Sequence, residues 1–93
     1  MKIPGCERAT VDIRKLRDYC LNPNHPLGKH KARVFAEALG MTSDDAESLR
    51  TILLSEIISD NAMVGEQDEY GQRYTLDFMI INDSKQATVR SGW

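Results

Sequence analysis

Arg73-Tyr-Thr-Leu-Asp-Phe-Met-Ile-Ile81 decides the fold. Tyr74, Leu76, Phe78 and Ile80 alternate with Thr75, Asp77 and Met79. Successive side chains of a strand point to opposite faces, so a period of two sets one row against a core and the other toward solvent. Downstream, Asn82-Asp-Ser-Lys85 is rich in turn formers and reverses the chain into Gln86-Ala-Thr-Val-Arg-Ser-Gly-Trp93, which makes a hairpin. Upstream, Asp68-Glu-Tyr-Gly71 is a second turn, and Ala62-Met-Val64 before it is a short strand candidate. The C-terminal part of the chain thus reads as an antiparallel sheet of two to three strands.

Before Asn61 the period is helical. Thr10 or Asp12 can cap a helix running through about Leu21, with Ile13, Leu16, Tyr19 and Cys20 as its apolar stripe. Asn22-Pro23 ends it, because a residue preceding proline is pushed out of the helical region. A second helix is predicted over Lys29–Leu39, with Gly40 as the left-handed cap and Ala32, Phe35, Ala36 and Leu39 on the apolar side. Thr42-Ser-Asp-Asp45 caps the longest helix, about Ser43 to Ser59, whose period is set by Ala46, Leu49, Ile52 or Leu53, Glu56 and Ile57, with Leu54 and Ile58 widening the stripe that backs the core. Helices first and an antiparallel sheet afterward define an α+β domain, about three helices packed on the sheet.

At 93 residues the chain supports one domain, spanning residues 1–93. Hydrophobic residues make up 41% and charged residues 28%, a balance that argues against both disorder and membrane insertion. No apolar run approaches the roughly 18 residues of a bilayer span, and Met1-Lys-Ile-Pro-Gly5 lacks the apolar core of a signal peptide. The expected location is the cytoplasm, with no membrane partner. Cys6 and Cys20 read as two reduced thiols. With His25 and His30 they form a nominal Cys2His2 set, but the thirteen residues between the cysteines replace the tight knuckle of zinc sites, so no metal is expected. No phosphate-binding glycine loop or nucleophile elbow is present, and no cofactor is expected.

Charge is divided along the chain. Residues 1–33 hold eight basic side chains against three acids, net +5, and residues 34–93 hold four against eleven, net −7. A polyanion would therefore meet the first third of the molecule. Its centre is Gly28-Lys-His-Lys-Ala-Arg33, where His30 stands among Lys29, Lys31 and Arg33 just after a proline-marked turn, at a predicted helix N-terminus. An anion there would meet side-chain charge, unpaired backbone N–H groups and an imidazole able to exchange a proton. Metal-free RNA cleavage requires a base for the 2′-hydroxyl, an acid for the leaving oxygen and cations on the phosphate. His30, Arg73 and Arg90 are the catalytic candidates; Lys29, Lys31, Arg33 and Tyr70 are the candidates for phosphate and RNA contact. The plainer reading makes His30 a helix-capping residue, pairs Arg73 and Arg90 with Asp77 or Glu69, and leaves one of Tyr70 and Tyr74 in the core and the other at the surface.

Asn22-Pro-Asn-His-Pro26, Gly28-Lys-His-Lys-Ala-Arg-Val-Phe35, Ala38-Leu-Gly40, Asp68-Glu-Tyr-Gly-Gln-Arg-Tyr74 and Ala87-Thr-Val-Arg-Ser-Gly-Trp93 together resemble a small bacterial domain family of unknown function. Its members occur as stand-alone proteins, and similar domains end large polymorphic, contact-dependent toxins. The resemblance implies a toxin-like, metal-independent ribonuclease of a toxin–antitoxin or toxin–immunity system, acting on RNA and covered by an acidic antitoxin or immunity protein. The alternative is a non-catalytic binding module whose basic face engages an acidic protein or RNA. Family members continue past the tryptophan with one more apolar segment, so a final strand is expected to be missing here. Its absence would leave a C-terminal strand edge through which a homodimer could form.

Overall fold

A computed structural model describes residues 1–93. Asp12 is the first helix cap: its carboxylate accepts the Arg14 N–H at 2.9 Å. The helical segment it starts has two parts, α1 (Ile13–Lys15) and a π-helical turn over Leu16–Cys20, closed by the Leu21 N–H donating to the Leu16 carbonyl at 2.8 Å. Helix α2 (Lys29–Leu39) ends at Gly40, whose φ of 65° is the left-handed conformation that glycine adopts without penalty. A single 3₁₀ turn at Ser43–Asp45 then leads into α3 (Ala46–Glu56). Thr42 and Asp45 form the capping box of that turn, with the Thr42 N–H donating to Asp45 at 2.8 Å. The helix therefore begins with a tighter turn and stops short of the predicted Ser59.

Strands β1 (Met63–Asp68), β2 (Gly71–Asn82) and β3 (Lys85–Gly92) form one antiparallel sheet in the order β1-β2-β3. The α+β architecture is the one the sequence predicts. β1 is longer than the expected Ala62–Val64 segment because it continues past a bulge between Val64 and Gln67. The amide of Gln72 fills that irregularity, donating to the Gly65 carbonyl at 2.8 Å and the Glu66 carbonyl at 3.3 Å.

On β2 the row Leu76, Phe78 and Ile80 is buried and Tyr74 packs against it, whereas Met79 and Ile81 on the opposite face are exposed. The buried row meets Leu16, Leu21, Leu39, Leu49, Leu53 and Ile57 from the helical layer in one core. Helices thus cover one face of the sheet, and the other faces solvent. Cys6 is buried in this core and Cys20 lies half-buried at its margin. No helix is long and apolar enough to cross a membrane.

Candidate functional site

The N-terminus of α2 is placed by the loop Asn22-Pro-Asn-His-Pro-Leu-Gly28. Gly28 is buried there because an added Cβ would lie 2.0 Å from the Tyr19 carbonyl oxygen, so only a residue without a side chain allows this approach. His25 holds the loop from within. Its Nδ1 accepts the N–H groups of Leu27 and Gly28, each at 3.0 Å, and its ring meets Tyr19 edge-on with centroids 4.5 Å apart. The Lys29 N–H donates to the His25 carbonyl at 3.0 Å and the Ala32 N–H to Gly28 at 3.0 Å, while the N–H groups of His30 and Lys31 find no protein acceptor. Unpaired donors at a helix start, together with the helix dipole, favour a negative ligand.

Helix α2 is a ridge between two grooves. One, of about 650 Å³, is lined by Lys29, His30 and Arg33 on the helix and by Pro23 and Thr42-Ser-Asp44 across from it. Ser43 belongs to its wall because its hydroxyl donates to the Leu21 carbonyl at 3.1 Å. The second groove, of about 390 Å³, lies on the other side of the helix, where Lys31, Val34, Phe35 and Ala38 face β3. The four residues Lys29, His30, Lys31 and Arg33 are all exposed, but they divide between these grooves. Lys29, His30 and Arg33 come together. Lys31 goes to the other side, with its Nζ 6.0 Å from the centroid of the Tyr19 ring.

Arg14, Arg17, Arg50, Arg73 and Arg90 each form an ion pair with a carboxylate, whereas Lys29, Lys31 and Arg33 have none within 4.0 Å. Arg90 binds Asp77 through two bonds of 2.8 and 3.0 Å across the β2–β3 ladder. Hydrogen bonding from this guanidinium holds the Asp77 carboxyl below its ordinary value and the Arg90 pKa above its own. Arg73 donates to Asp68 at 3.0 Å, which with the Tyr70 N–H lowers the Asp68 pKa. Arg73 and Asp77 alternate with the buried row of β2, so both arginines sit on the sheet face turned away from the helices, and neither lines the His30 groove. Tyr70 is 84% exposed on the β1–β2 turn, and Tyr74 is half-buried against the core.

This chain belongs to the family described as domain of unknown function (DUF6883). The family pattern matches residues 2–93, nearly the whole chain. No curated protein and no solved structure matches it. Within this DUF6883 domain, sequence reasoning missed Thr42, Ser43 and Asp44 as groove-lining residues. Their pattern spells a helix cap, which they also form, and only the packing of Ser43 on Leu21 brings them opposite Lys29 and Arg33.

Proposed function

We propose that this DUF6883 domain is a binding module that takes an RNA strand along the His30 side of α2. The observation that carries the reading is the convergence, in one open groove, of two cations without carboxylate partners, Lys29 and Arg33, with His30, on a helix whose first turn also holds unpaired N–H groups; Asp44 on the facing wall is the one carboxylate among the lining residues. A phosphodiester matches that donor set, with cations giving affinity and helix N–H groups giving register. Thr42 and Ser43 add hydroxyls on the facing wall. The cytoplasm is the setting we propose, since a ligand of this kind would be met there.

A second reading assigns turnover to the same groove: a toxin-like, metal-independent ribonuclease in which His30 moves the proton and an acidic antitoxin or immunity protein blocks the cations. The nearness of His30 to Lys29 and Arg33 favours it. The binding reading is preferred because His25 is engaged in the loop, leaving one free imidazole, and because Arg73 and Arg90 would first have to leave Asp68 and Asp77.

The test is fluorescence anisotropy with a labelled single-stranded RNA of mixed sequence, over a salt series. Each phosphate contact on a single strand contributes about 0.7 to the slope of log K against log salt, so Lys29→Glu with Arg33→Glu should weaken binding and flatten the slope by about 1.4. Equal binding and slope for wild type and double variant would remove the groove from the account. Cleavage of the RNA by wild type and its loss in His30→Ala would replace the binding reading by the ribonuclease one.

A further inference from the structure

β3 ends the sheet, and its outer edge is open. Tyr74 and Trp93 exchange both of their backbone hydrogen bonds, at 3.0 and 2.9 Å. Such pairs alternate along an antiparallel ladder, so the register directs the backbone groups of Ala87, Val89 and Ser91 toward β2 and those of Gln86, Thr88, Arg90 and Gly92 away from it. No backbone or side-chain group of the protein meets these four N–H and four carbonyl groups. Edges are normally blunted by a bulge, a proline or an inward-pointing charge. β1 carries a bulge filled by Gln72, together with the acids Glu66 and Asp68. β3 has no bulge against β2, and its inward positions are the small, uncharged Ala87, Val89 and Ser91.

The second groove lies directly beside this edge. It is about 390 Å³, and its helix side is Val34, Phe35 and Ala38, with Val34 62% exposed. We propose that the free edge of β3 and this groove form a docking site for an extended, acidic segment of a partner protein, which joins the sheet as a fourth strand. The backbone geometry selects an extended chain. The groove selects apolar side chains at alternate positions, since every second residue of the added strand would point over Val34 and Ala38. Charge selects the flanks: Lys31, which has no carboxylate partner, lines the groove, Lys85 begins the strand, and Lys85–Gly92 contains no acid, while the Arg90 guanidinium stays with Asp77 on the far face of the sheet. A second copy would bring its own Lys31 and Lys85 to the same seam and no acid from its β3, so it offers these cations no complement. This site is independent of the His30 groove, on the opposite side of the helix.

The test uses the full chain, ¹⁵N-labelled, titrated with octapeptides carrying Val, Ile or Leu at alternate positions and Glu at both ends. Hydrogen exchange at Gln86, Thr88, Arg90 and Gly92 should slow at least tenfold on saturation. Thr88→Pro removes a donor that β2 does not use, so it should fold and lose the peptide. Lys31→Glu, at an exposed helix position, should weaken binding at least tenfold and guards against a Thr88→Pro that does not fold. If no peptide protects these four amides, or if the free protein sediments as a dimer with them already protected, the proposal is overturned.

Discussion

Gly28→Ala should be among the most damaging single-atom additions in this chain. The new Cβ would stand 2.0 Å from the Tyr19 oxygen, 2.7 Å from its carbonyl carbon and 3.3 Å from its Cα. All three are backbone atoms, held by the π-helical turn, and cannot rotate aside. Ordinary contact requires the loop to lift by more than about 1 Å, and overpacking of that kind costs about 1–3 kcal/mol. Lifting also strains the two bonds from Leu27 and Gly28 to His25, each worth about 0.5–1.5 kcal/mol. Against this, alanine restricts the unfolded chain and returns about 0.4–1 kcal/mol. The expected loss is about 1–5 kcal/mol, a large share of the roughly 5–15 kcal/mol that small domains possess. Urea denaturation followed by circular dichroism should show the midpoint falling with the slope unchanged. Gly92→Ala, with no atom within 4 Å of its added Cβ, is the matched control and should be within about 0.5 kcal/mol of wild type. A Gly28→Ala variant as stable as that control would refute the reasoning about how α2 is placed.

Leu76→Ala, at a side chain only 1% exposed beneath the helices, should cost about 2.7–5 kcal/mol by thermal or chemical unfolding. His25→Ala removes the acceptor for Leu27 and Gly28 and should speed amide exchange in the first turn of α2 while leaving the β2–β3 hairpin protected. Asp12, Asp18, Asp68 and Asp77 all have folded pKa values lowered by neighbouring arginines, so their contribution is fully present above the ordinary value of 3.8 and is lost as pH falls through the folded values. An acid titration of Asp77→Asn should therefore show less loss of stability below that pH than wild type, and an unchanged acid profile would contradict the Arg90 assignment.

The period of two in Arg73–Ile81 and the turn residues at Asn82–Lys85 made the central strand and its hairpin legible, because burial on one face leaves a pattern that register cannot hide. Gly40 marked the end of α2 for an equally local reason. The π turn at Leu16–Cys20 left no such mark: an amphipathic stripe looks the same whether the Leu21 N–H reaches back four residues or five. β1 was under-read because its bulge breaks the alternation after Val64. For the site, the cluster around His30 was visible as a run of cations, but sequence adjacency concealed that Lys31 faces the other groove. Arg73 and Arg90 read as free cations or as ion-pair partners. Asp77 stands directly opposite Arg90 in the ladder, and cross-strand register is a tertiary fact that neither residue displays alone.

The most direct measurement of the central claim is a ¹⁵N–¹H titration of the wild-type chain with a short single-stranded RNA at low salt. Amide shifts concentrated at residues 29–33 and 42–44 are the predicted result. Shifts confined to the outer face of the sheet around Arg73 and Arg90, or none at all, would contradict it.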